Sequence, residues 1–178
     1  MTSTRAQAVS VRTMLGARRS SLIATAIGAV LLVLAPLGAT WLFVPANPAA
    51  NLPETTLSFS GLGDLTSGGL APTTGLQASY FAWLGWTLIA LTLIVALAAL
   101  LIGSHGLRVA LGVIALVGLV TTILAVKGPM SWSEVVDQLP NVRVGGYLVF
   151  GGYLVMIVAA GLPVRTVTTP AEAVANGQ

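Results

Sequence analysis

Cysteine is absent from this chain, histidine occurs once, and there are five acidic residues in all. Without cysteine there is no disulfide, no thiolate nucleophile, and no Cys-ligated zinc or iron–sulfur cluster. Charge of either sign is scarce at 7%, where a soluble domain carries about 25%. What fills the 178 residues is apolar: 56% of them are hydrophobic, and the mean hydropathy is +0.93. A folded domain of about 150 residues buries only about 70% of its unfolded surface. So much apolar surface cannot be hidden behind a water-facing shell. Soluble globular, disordered and coiled-coil classes are excluded, and an all-α integral membrane protein remains.

Four uncharged runs carry that reading. They cover residues 21–44, 80–102, 109–126 (with its helix expected over 107–126) and 144–163, and each is near the ~20 residues that cross a bilayer. In lipid the backbone must satisfy its own hydrogen bonds, so each run is expected to be a helix. Together, 21–163 reads as a four-helix transmembrane bundle. It is preceded by a basic N-terminus (1–20) and followed by a flexible tail (164–178). The first run is longer than the apolar core of a secretory signal, and Ala39 is followed by Trp41, Leu42 and Phe43. It is expected to stay as an anchor.

Orientation follows from charge. With the N-terminus inside, the inner segments hold Arg5, Arg12, Arg18, Arg19, Arg108 and Arg165 against Glu172, a net of +5. The outer segments hold Lys127 and Arg143 against Glu54, Asp64, Glu134 and Asp137, a net of −2. Cations collect on the cytoplasmic side, so both termini are expected inside, with Arg12, Arg18, Arg19, Arg108 and Arg165 as the determinants. Trp41, Trp83, Trp86 and Trp132 then fall at the outer interface, where tryptophans anchor spans. The chain's basicity reports orientation, with no nucleic-acid partner implied.

Two outer loops result, 45–79 and 127–143. The first is too long for a turn and is expected to be an ordered cap, with a short extended piece over 55–60, where Leu57 and Phe59 alternate with polar residues. In the second, Ser131-Trp132-Ser133-Glu134 fits a capping box. Trp132, Val135, Val136 and Leu139 follow at helical spacing. This predicts a short amphipathic helix on the membrane surface.

Catalytic signals are missing. His105 stands in the inner turn beside Arg108 with no carboxylate partner, so no metal set and no cofactor site is expected. The four runs contain no Asp, Glu, Lys, Arg or His. Coupled transporters and proton relays place such groups in the bilayer. The threonines within or beside the runs are expected to bond back to their own helices.

Small residues are the main signal inside the membrane. Gly145, Gly152 and Ala159 recur every seven residues along the fourth run, and Ala24, Gly28 and Ala35 line one side of the first. Grooves of this kind let helix backbones approach one another, within the bundle or with a partner.

The layout of four spans, internal termini and two outer loops with the first longer is similar to that of tetraspan proteins of the claudin type. Claudins carry a cysteine pair in the first outer loop; here that loop has none, so the resemblance implies topology and no function. Arginine outnumbers lysine seven to one, a codon bias that suggests a high-GC bacterial genome, an actinobacterial one, and hence a bacterial plasma membrane. The expected function is that of a non-enzymatic accessory or scaffolding subunit. It would bind a larger integral membrane protein or complex in the lipid bilayer, in cell-envelope assembly, transport or respiration. The alternative is a small oligomeric channel or transporter for a neutral or lipidic substrate.

Overall fold

The computed structural model of the chain describes residues 3–46, 53–68 and 72–162, with side chains from residue 20 onward. It is mainly helical, and four of its helices are long and apolar enough to cross a membrane. The elements in order are α1 (Ser3–Leu37), β1 (Thr40–Val44), β2 (Thr55–Ser58) and α2 (Phe59–Ser67). They are followed by α3 (Gly75–Ile102), α4 (His105–Lys127), α5 (Trp132–Gln138) and α6 (Val144–Gly161). Arg12, Arg18 and Arg19 lie in the N-terminal half of α1, which begins well before the apolar run. Arg165 and the tail lie outside the described residues.

Each spanning helix turns one narrow stripe inward. On α1 the stripe is Ser21, Thr25, Gly28, Leu32 and Ala35, while Ile23, Ile27, Val30, Leu34 and Leu37 point outward. On α6 it is Gly145, Val149, Gly152, Met156 and Ala159, and on α4 it is Leu111, Ala115, Gly118, Thr122 and Ala125. All three stripes alternate steps of four and three. That heptad spacing is the one that keeps a seam facing its neighbour in left-handed bundles. Helix α6 packs most extensively on α1, then on α4, and α4 packs on α3.

The buried threonines of the helices are satisfied locally. Thr25 donates to Ser21 O, Thr92 to Leu88 O and Thr122 to Gly118 O, at 2.7–2.8 Å. Thr87 does the same to Trp83 O at 3.1 Å. A hydroxyl bonded to the carbonyl one turn back removes its own desolvation penalty.

Two further boundaries differ from the hydropathy reading. The first helix ends at Leu37, not at 44. Pro36 lacks an N–H, and the β-branched and aromatic residues that follow suit an extended chain. Residues 40–44 therefore form β1, which pairs antiparallel with β2 through Phe43–Thr56 and Val44–Thr55. The fold is a helical bundle with a two-stranded sheet added at one end. The second difference is that α3 starts at Gly75, with Thr74 as its N-cap, accepting from Gln77 N at 3.1 Å.

Candidate binding site under the cap

β1, β2 and α2 fold onto one end of the bundle and form a cap. Ser58 caps α2 by accepting from Gly61 N at 3.1 Å. This orients Phe59 and Leu62 inward, and both are buried. Phe59 stands at the centre of an aromatic cluster. Its ring lies 5.0 Å from Trp41, 5.3 Å from Phe81, 5.4 Å from Trp86 and 5.9 Å from Tyr80, in every case edge to face. Edge-to-face pairs place the positive rim of one ring on the negative face of another.

Two glycines admit the cluster. A Cβ at Gly85 would sit 2.8 Å from Phe59 Cζ and 2.9 Å from Tyr80 O. At that point α3 is widened into a π turn over Tyr80–Leu84, a local irregularity that recurs at functional sites. A Cβ at Gly63 would sit 3.1 Å from Phe81 O, so the backbone of α2 runs against the same turn.

Trp41 is not an interface anchor. It is 3% exposed, and its Nε1 donates to Ala35 O at 2.6 Å. That carbonyl lies in the last turn of α1, where helix acceptors have no partner of their own. The indole packs against Gly145, where a Cβ would collide with it. Trp83 and Trp132, each 58% exposed, and Trp86 at 39% stand on the surface.

The second loop joins the cap. Arg143 N donates to Trp41 O at 2.9 Å, and Leu42 bridges to Val142. The Arg143 guanidinium lies 4.7 Å over the Phe43 ring, and Lys127 Nζ lies 5.6 Å over Trp132. Helix α5 opens on a complete capping box: Ser131 N donates to Glu134 Oε2 at 2.6 Å, and Glu134 N returns to Ser131 Oγ. The Ser131 N–H and hydroxyl hold the exposed Glu134 carboxyl below its ordinary range. Trp132, Val136 and Leu139 are exposed along this segment.

Between the cap, α5 and the near ends of α3, α4 and α6 lies a partly open cavity of about 210 Å³. Its walls are apolar, with Leu62, Phe81, Val126, Val135 and Leu139 among them. Gln77 also lines it, and its Oε1 is buried without a hydrogen-bond partner. The amide lies against Gly128, where a Cβ would sit 2.5 Å from Oε1. Gly128 has φ +51°, a conformation that favours glycine for a second reason.

The glycine stripe of α6 meets α1 along its length. Gly145 lies under Trp41, and a Cβ at Gly152 would be 2.8 Å from Leu32 Cγ. Gly28 faces the same place, with Met156 Cγ at 3.1 Å and Gly152 O at 3.3 Å from its would-be Cβ. Ala35 and Ala159 are buried, and Ala24 stands at the edge of its stripe, half-buried. At the opposite end Arg108 donates to Leu162 O at 3.1 Å, placing a cation at the C-terminus of α6 where the helix dipole favours one. His105 is exposed.

Periodicity did not reveal Gly118 or Gln77, and it placed Phe59 in an extended piece over 55–60, whereas the strand ends at Ser58 and Phe59 opens α2. A Cβ at Gly118 would collide with the Tyr153 ring. Among the described residues no three His, Asp or Glu side chains gather in a way that could hold a metal ion. The chain matches no protein-family model, no curated protein and no solved structure.

Proposed function

We propose that this chain is a non-enzymatic accessory or scaffolding subunit of a larger membrane protein complex, serving cell-envelope assembly, transport or respiration. In this reading both termini face the cytoplasm of a bacterium and the cap faces outward, as the distribution of arginines favours. The observation that carries the proposal is the cap. Within a loop long enough to be disordered, the described segment 53–68 is pinned onto the helix ends through a cluster of five aromatic rings centred on Phe59. That gives the protein a rigid outer face, with Ser60, Asp64 and Ser67 exposed on one side of α2. A preorganised face loses little conformational entropy on association.

The bundle axis is filled by Leu32, Val149, Tyr153 and Met156, all fully buried. This disfavours a conduction path within one chain. A channel would have to form between copies.

The test is affinity purification of the full chain from native membranes in mild detergent. A larger membrane protein should co-purify in fixed stoichiometry, and the charge reversal Asp64→Lys on the exposed side of α2 should weaken capture while the chain stays folded. Recovery as a lone homo-oligomer that conducts in liposomes would overturn the proposal.

A further inference from the structure

We propose that the cavity under the cap is a binding site for a lipid alcohol, an apolar chain ending in a hydroxyl group, whose O–H donates to Gln77 Oε1. The proposal does not depend on the scaffold reading. It rests on a mismatch between the walls and the polar groups set into them.

Three polar side chains line the cavity: Trp41, Gln77 and Gln138. Two are committed. Trp41 Nε1 donates to Ala35 O, and Gln138 Oε1 accepts from Asn141 Nδ2 at 2.8 Å. Of the three, only Gln77 holds a buried atom without a partner, its Oε1. A buried acceptor without a donor carries its full desolvation penalty. It is also held in place, since Gly128 leaves the space the amide occupies and Thr74 fixes the first turn of α3 behind it.

Water fits poorly, because a buried water typically makes about three hydrogen bonds and the Gln77 amide is the one uncommitted polar side chain in walls that are otherwise apolar. An anion fits worse, because the walls are apolar and no cationic side chain lines them. An apolar body with a single donor matches. The volume agrees: an apolar cavity of about 150 Å³ admits benzene, so about 210 Å³ takes one section of a hydrocarbon chain. The remainder of the chain leaves through the open side. Fatty alcohols, isoprenoid alcohols and the free hydroxyl of a diacylglycerol share this chemistry.

The test uses the purified full-length chain in nanodiscs and two photoactivatable probes. One is hexadecanol with a diazirine in its chain. The other is its methyl ether, which has the same body but no donor. After irradiation, the alcohol should label peptides containing Leu62, Val126 or Val135 about five-fold more strongly than the ether, the ratio expected for one neutral hydrogen bond. Gln77→Leu should remove that preference. The variant should melt no lower than the parent, since it deletes an unpaired buried polar atom. Val126→Trp, which fills the cavity, should reduce labelling by both probes. Unlabelled prenol, fatty alcohol and diacylglycerol used as competitors then distinguish the sources. Equal labelling by alcohol and ether would overturn the proposal. So would a preference that survives Gln77→Leu, or labelling spread over the lipid-facing surface with none in the cavity walls.

Discussion

The hydroxyls of Tyr80 and Thr122, 42 residues apart in sequence, lie 2.7 Å apart between α3 and α4. The direction of this hydrogen bond can be deduced. Thr122 Oγ1 donates its one proton to Gly118 O at 2.7 Å, so Tyr80 must be the donor to Thr122. A three-member chain of hydrogen bonds thus ties the π turn of α3 to the interior of α4.

Removing this link should be measurable. Tyr80→Phe is expected to cost about 0.6 kcal/mol, the average for hydrogen bonds between membrane helices. Thr122→Val leaves the Tyr80 hydroxyl buried and unpaired, and is expected to cost about 1–3 kcal/mol. The double variant should be less destabilised than the sum of the two. Unfolding in mixed micelles with rising SDS measures all three; strict additivity would remove the link from this account.

Gly152→Leu should lower the melting temperature of the protein itself. Its new side chain would meet Leu32 within van der Waals distance, with the backbone N of Leu32 at 3.1 Å from the Cβ, so α1 must shift. Overpacking of this kind costs about 1–3 kcal/mol. Gly151 has only Leu31 Cδ1 nearby, at 3.9 Å, and Gly151→Leu should change little. Thermal denaturation in detergent compares them.

The cap should loosen as a unit when its central ring is removed. Phe59→Ala deletes a fully buried side chain, and truncations of this kind cost about 3–5 kcal/mol. Amide exchange over Thr55–Ser58 should speed up, while exchange in α4 and α6 stays slow. Equal acceleration in the spans would show that cap and bundle open together.

Helix α5 should carry a pH dependence through Glu134. Its carboxyl is held below the ordinary value of 4.5 because Ser131 donates to it. A depressed folded pKa contributes stability above the unfolded pKa, and that stability is lost as pH falls through the folded one. Protection factors in α5 should therefore fall at acid pH. Glu134→Gln should make them independent of pH there, as hydrogen-exchange mass spectrometry can read.

Orientation can be tested cleanly because the chain has no cysteine. Single cysteines at the exposed positions Ser67 and Ser133 should react with an impermeant thiol reagent on whole cells or spheroplasts. One at His105 should not. Ser104 is a poorer site because its hydroxyl caps α4, accepting from Leu107 N at 3.2 Å. The reverse labelling pattern would invert the topology.

The spans were legible in the sequence because lipid imposes one rule on every residue of a run. The capping box of α5 was legible because it is local, closing within four residues. The 40–44 segment was not, since Trp41-Leu42-Phe43-Val44 has the same hydropathy whether it continues a helix or forms a strand. Its pairing with 55–58 decides the matter, and that partner lies outside any local window. Trp41 was misplaced for the same reason: an indole at a helix end suits both a membrane interface and a core. The glycine stripe of α6 showed in its sevenfold spacing. The glycine that accommodates Tyr153, Gly118, has leucine, alanine and threonine at the other positions of its stripe, so no repeat of glycine marks it.

β1 has a consequence for how the protein is made. One edge of this strand is paired with β2, close behind it in the chain, and the backbone bonds beyond that pairing come from Val142 and Arg143. Those residues emerge only after α3, α4 and α5 have been synthesised. During biogenesis the cap therefore lacks its bonds to Val142 and Arg143 until the segment that leads into the last helix has been made. Chains halted after α4 should keep the first loop open to protease, and completion of α6 should close it, making the arrival of the final helix the step that seals the cap.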